Sequence, residues 1–159
     1  PLGLSGYLGA RTERSILATG IDNRYARDPV ATKACWKTVS ELAPDRFILG
    51  LGVSHSHLVS RQRGHHYGKP LSTMRDYLHA MDEALYMGKE PEHDAPIVLG
   101  ALRDKMLELS ATAAQGAHPY LVTPAHTERA RKVIGPDALL CPEQMVLAET
   151  DADLSLIYL

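Results

Sequence analysis

Short apolar runs alternate with amphipathic, proline-opened segments along this chain, and that alternation restricts the fold more than any other feature. Residues 15–21 (SILATGI), 47–53 (FILGLGV), 97–101 (IVLGA) and 117–122 (AHPYLV) read as strands, and Leu139-Leu140 begins a last one. FILGLGV is nearly all apolar, as a strand buried on both faces of a parallel sheet would be. SILATGI ends at Asp22-Asn23, read as a polar loop. Asp28-Pro29 supplies an N-cap and an N1 proline for a helix through about Leu42, with Val30, Ala34 and Val39 on its apolar face. Pro70 opens a second helix, with Leu71, Met74, Leu78, Met81 and Leu85 at spacings of three and four, and Gly88 ends it. A third helix covers roughly 105–114 with Gly116 past its end, and Thr123-Pro124 opens a fourth that stops at Gly135-Pro136. Residues 151–159 are read as the start of another.

Such a pattern gives an α/β protein with a parallel sheet and right-handed crossovers. Two architectures satisfy it. An open, doubly wound sheet of five strands fits 159 residues, whereas a complete eight-fold barrel typically needs about 250. On length alone the open sheet is favoured.

Bulk properties narrow the partners. With 45% apolar residues and a net charge of -2, the chain reads as soluble and globular, with no demand for nucleic acid or an acidic membrane. Its longest apolar run, FILGLGV, is far below the roughly 18 residues of a bilayer span. PLGLSGYLGARTER has no basic leader ahead of an apolar segment, and Cys35 and Cys141 lie far apart with no paired spacing, so a reducing cytoplasm is expected. The chain opens on Pro1, and a fragment or processed product is expected.

Three stretches carry chemistry. GVSHSHLVSRQRGHHYGKP, residues 52–70, holds four of the eight histidines, two arginines and a lysine. It follows the end of a buried strand, where parallel α/β folds place active sites. His55, His57, His65 and His66 look superficially like metal ligands, but no cysteine or acidic ligand lies nearby and a tandem pair does not easily aim both rings at one ion, so no metal is expected. Arg61, Arg63 and Lys69 read either as an anion-binding lid or as a solvated loop. In the second stretch, Gly50-Leu51-Gly52, a dinucleotide fingerprint fails, because His55 stands where glycine is needed and the next helix is delayed by more than ten residues. These glycines admit a ring or a neighbouring strand close to the backbone. The third, Leu99-Gly100-Ala101-Leu102-Arg103-Asp104-Lys105, turns from strand to helix and is a weak phosphate-site signal, since every parallel unit has such a turn.

Taken in order, ATGIDNRYARDP, DRFILGLGVSH, RGHHYGKPLSTMRDYLHAMD, LGALRDKMLELSATAAQGAHPYLVTPAHT and ALLCPEQMVL resemble the luciferase-like monooxygenase superfamily. The similarity is greatest to its actinobacterial branch that uses the deazaflavin coenzyme F420. The resemblance implies a partial TIM (β/α)8 barrel with about five parallel βα units, in which SILATGI is the third strand and FILGLGV the fourth. Residues 1–159 would then be a single incomplete barrel domain lacking the first two strands and the C-terminal end. It implies a bulge, often with a non-prolyl cis peptide, at Thr19, Gly20 and Ile21 against the flavin ring. Asn23 would meet the ring edge, Val53 and Ser54 would contact the cofactor, and His55 would face the substrate and orient or protonate it. Gly100, Ala101, Leu102 and Arg103 would hold the cofactor phosphate. Arg61, Arg63 and Lys69 would meet its anionic tail. The implied activity is hydride transfer between F420 and a small organic substrate, in a homodimer. FMN-dependent monooxygenation is the enzymatic alternative, and a truncated, inactive flavin-binding or assembly protein is the non-enzymatic one. A metal-dependent hydrolase built on the histidines is a third.

Overall fold

A computed structural model of the chain describes residues 1–146. The expected helix over 151–159 lies outside them. The elements run α1 (Leu2–Arg11), β1 (Leu17–Ala18), β2 (Asp22–Asn23), α2 (Pro29–Leu42), β3 (Phe47–Gly52), α3 (Pro70–Glu83), β4 (Ile97–Leu99), α4 (Asp104–Ala113), β5 (Gly116–Ala117), α5 (Pro124–Ile134) and β6 (Leu139–Leu140). A single π-type turn, Leu58–Gln62, interrupts the long loop between β3 and α3.

Every strand pairing is parallel. Strands follow one another across the sheet in chain order, with β1 and β2 both on one side of β3 and then β4, β5 and β6 on the other. A doubly wound sheet reverses direction at a switch point; this one never does. The length-based preference for an open doubly wound sheet is thereby corrected to half of a barrel. β3 is buried along nearly its whole length, as its unbroken apolar run requires.

The strand expected over 15–21 is interrupted. Ala18 pairs with Ile48 and Asp22 with Leu51, so residues 19–21 stand opposite only 49 and 50, a one-residue bulge. Asp22 and Asn23, expected in a polar loop, are therefore paired strand residues. The strand expected over 117–122 is also shorter, with only Gly116 and Ala117 in register, and an isolated bridge joins Tyr120 to Glu143.

Helix starts follow local chemistry. Asp28 accepts from the Ala31 amide at 2.9 Å and Thr123 from the His126 amide at 3.3 Å, each followed by an N1 proline. Gly135, at φ 83°, ends α5. Replacing Thr123 by alanine is expected to lower stability by about 1 kcal/mol, read as a shift in urea midpoint with an unchanged slope. Two apolar-face assignments are corrected. Val30 is exposed, and Leu85 lies beyond the end of α3 in solvent. That helix stops at Glu83 rather than near Gly88, and Lys33 Nζ donates to the Asp82 and Ala84 carbonyls, both at 2.8 Å, meeting its C-terminal acceptors from outside.

One core lies between β3, β4 and helices α1 to α3, built on Leu2, Val39, Phe47, Leu49, Met74 and Leu99. A second joins Ala101, Leu107, Ala117, Ala130 and Ile134 where α4 and α5 cover β5. Among the described residues no helix is long and apolar enough to cross a membrane.

Candidate active site at the barrel mouth

The bulge between β1 and β2 forms the floor of the mouth. Thr19 is buried, and its hydroxyl donates to the Gly50 carbonyl at 2.8 Å and accepts from the Gly50 amide at 2.9 Å. Its side chain is thus committed to β3. The next peptide, Gly20–Ile21, is cis. Ile21 then lies across three glycines: a Cβ at Gly52 would stand 2.6 Å from Ile21 Cδ1, and one at Gly100 would stand 3.5 Å from Ile21 Cγ2. At Gly50 a Cβ would fall 1.9 Å from the Thr19 carbonyl oxygen. The glycines of FILGLGV therefore admit the neighbouring bulge, one of the two approaches anticipated for them. Asn23 Oδ1 accepts from the Tyr25 amide at 2.9 Å, holding the chain as it leaves β2.

Below the bulge, Asp22 is a buried carboxylate held by Arg27, whose Nη1 donates to both its oxygens at 2.7 and 3.0 Å. Tyr77 on α3 shares a 2.6 Å hydrogen bond with Thr32, and burial pushes its phenol up, with Asp22 adding to the effect and the Thr32 bond and Arg24 opposing it.

At the end of β3 the wall begins. Val53 packs against the main core. Ser54 takes φ 57°, uncommon for a residue with a side chain, and turns the strand outward. Tyr67 donates to the Ser54 carbonyl at 3.1 Å, and burial holds that phenol's pKa up, so it stays a donor. Gly68 donates its amide to the Tyr25 hydroxyl at 3.1 Å, and the Tyr25 and Tyr67 rings stack at 5.7 Å. Two tyrosines absent from the sequence reading thus clasp the loop to the rim. The Arg24 guanidinium lies 4.2 Å above the Tyr25 ring, and its buried Nε has no hydrogen-bond partner among the described residues.

His55 is exposed and stacks on His57 at 5.9 Å. Arg61, Arg63 and Lys69 are exposed and form no ion pair among the described residues. Nor do any three His, Cys, Asp or Glu residues gather as a metal-binding group among those residues.

The turn after β4 completes the wall. Gly100 donates to the Leu51 carbonyl at 2.8 Å, Ala101 is buried, and Leu102 and Arg103 are exposed ahead of α4. His126, in the first turn of α5, donates through Nε2 to the Leu102 carbonyl at 2.8 Å, leaving its buried Nδ1 without a partner among the described residues. Asp104, the acid nearest this turn, is held by Arg129 at 2.6 Å.

His118 and Glu143, which the sequence reading passed over, follow β5 and β6 and lie 3.0 Å apart. Burial pushes the neighbouring Cys141 thiol up, so it is a neutral group beside them. The loops after Ile21, Val53 and Leu99 thus reach one rim, with His118 and Glu143 facing Gly20 from the far side. A groove of about 720 Å³ at the opposite end of the sheet, lined by Trp36, Lys37, Leu78, Pro96, Ile97 and Gln115, is a poorer candidate. It abuts the start of β4, whereas parallel barrels carry their chemistry at strand C-termini.

Known proteins share this fold. The chain is 37% identical over 70 residues to a Mycobacterium tuberculosis protein named as a coenzyme F420-dependent oxidoreductase, which covers 44% of this chain and 20% of that protein. Its fold matches the coenzyme F420-dependent tetrahydromethanopterin reductase of Methanopyrus kandleri with a TM-score of 0.65 at 20% identity, over 84% of this chain and 48% of that one. It also matches an F420-dependent secondary alcohol dehydrogenase in complex with an F420-acetone adduct, with a TM-score of 0.68 at 13% identity, over 86% of this chain and 50% of that one. The chain therefore spans at most half the length of these relatives. Residues 1–134 match the luciferase-like monooxygenase family model, and together with the bulged, sequentially ordered half-barrel this makes the chain a member of that family.

Proposed function

We propose that this chain forms part of a mouth in which coenzyme F420 exchanges a hydride with a small organic substrate. The packing of Ile21 across Gly52 and Gly100 carries the reading, because it sets an apolar floor between the ends of β3 and β4. When bound, the deazaflavin supplies or takes the hydride. Ile21 excludes water from beneath the ring, while Asn23, Val53 and Ser54 border its edge. The Gly100 amide is held by Leu51, so the amides from Ala101 to Arg103 are the ones left for the phosphate, and the unpartnered Arg24 Nε fits a ligand with anionic groups. Arg61, Arg63 and Lys69 are exposed on the lid and available to an acidic tail. His55 faces the substrate and orients it.

Titrating the purified 159-residue chain with F420 and, separately, with FMN, followed by cofactor fluorescence, tests this. Saturable binding of F420 with weaker or no binding of FMN is expected. Tight FMN binding without F420 binding would replace the reading with FMN-dependent monooxygenation, and binding of neither would replace it with a non-catalytic module.

A further inference from the structure

The pair formed by His118 and Glu143 holds a proton, and its hydrogen bonds say where. His118 Nδ1 lies 2.6 Å from the Cys141 carbonyl oxygen. A carbonyl oxygen only accepts, so Nδ1 carries a hydrogen. His118 Nε2 lies 3.0 Å from Glu143 Oε2. With Nδ1 already protonated, that contact is a hydrogen bond only if a second proton sits between the two atoms. It belongs either to an imidazolium facing a carboxylate or to a carboxylic acid facing a neutral imidazole.

The backbone fixes the pair. Glu143 donates its amide to the Pro119 carbonyl at 2.8 Å and accepts from the Leu121 amide at 3.0 Å, so both residues ride on one parallel register. The His118 side chain is 13% exposed and that of Glu143 35%, so water reaches the pair from the glutamate side. On the other side is Gly20: a Cβ there would stand 3.0 Å from both Glu143 Oε2 and His118 Nε2. The shared proton therefore faces the bulge on which the proposed cofactor ring would rest, at a residue with no side chain.

Resting on the hydride-transfer reading above, we propose that His118 and Glu143 are the proton donor of this mouth and that the reaction they serve is reduction of a polarised double bond. Reduced F420 gives two electrons and one hydrogen as hydride to the electrophilic carbon and is oxidised. The π pair of the substrate moves to its oxygen or to the conjugated carbon. His118 and Glu143 then release their shared proton to that atom, leaving a neutral imidazole and a carboxylate, and Glu143 recovers a proton from water. In its protonated form the pair is set to give a proton, the state that the reductive direction needs.

Proton-detected NMR on the histidine-labelled chain, with and without oxidised F420, tests the pair together with Glu143→Gln and His118→Asn. In the unsubstituted chain His118 should show its Nδ1–H and a strongly deshielded resonance from the proton shared with Glu143, and adding F420 should shift that resonance. Glu143→Gln should remove the deshielded signal while F420 binds within about threefold of the parent affinity. With reduced F420 and cyclohexenone as probe, both variants should turn over about 100-fold more slowly than the parent, the lower end of a general acid's contribution. F420 binding with an unmoved His118 resonance, or variants as fast as the parent, overturns the donor assignment and leaves the cofactor reading standing. Absence of F420 binding overturns both.

Discussion

Replacing Gly50 by alanine is expected to destabilise the protein by about 3 kcal/mol, the upper end of the overpacking range. The added Cβ would fall 1.9 Å from the Thr19 carbonyl oxygen and 3.1 Å from its carbon, so backbone rather than a flexible side chain must give way. Thr19 has no slack, because its hydroxyl is bonded to both the amide and the carbonyl of Gly50. Displacing it would move the Gly20–Ile21 peptide and with it the floor of the mouth. Gly3→Ala is the matched control: the position is helical with nothing within 4 Å of the new Cβ, and a gain of about 0.5–1 kcal/mol is expected there. Urea unfolding followed by circular dichroism reads both. Equal midpoints for Gly50→Ala and the parent would mean that the bulge does not rest on β3 as described.

Arg27→Met should be comparably damaging, at about 3–5 kcal/mol, because it leaves a buried carboxylate without its counter-ion. Asp22 is 1% exposed and both its oxygens are held by one guanidinium nitrogen. The reciprocal Asp22→Asn should be milder, since the Arg27 side chain is 29% exposed and water can solvate the freed guanidinium. The double variant should recover part of what Arg27→Met loses, and a double-mutant cycle measures that coupling. Equal losses from the two single variants would show that the charge on Asp22 is not what Arg27 compensates.

How much of this was legible in the chain depended on whether each feature is local. Asp28 and Thr123 start helices through bonds to amides three residues on, so their spacing was enough. β3 announced itself because a strand covered on both faces must be apolar throughout. Helix α1 went unread because Gly3, Gly6 and Gly9 lower its intrinsic propensity. It forms because the last two are contact points for α2: a Cβ at Gly9 would stand 2.8 Å from that of Ala43. The end of α3 was misplaced for the same reason, since Lys33, some fifty residues away, meets its last carbonyls. The floor of the mouth was reached only through family resemblance. Composition and spacing do not show that Ile21 crosses Gly52 and Gly100, as strand register decides it. His118 and Glu143 were missed outright, being 25 residues apart after different strands and adjacent only through the pairing of Tyr120 with Glu143.

Because each strand from β3 onward joins the edge left by its predecessor, the sheet can be assembled by accretion as the polypeptide leaves the ribosome. No strand among those described has to be inserted between two earlier neighbours, although each pairing joins segments well apart along the chain, which slows parallel sheets. The same order leaves the outer row of β6 amides and carbonyls unpaired by any strand among the described residues, an edge able to template a further parallel strand.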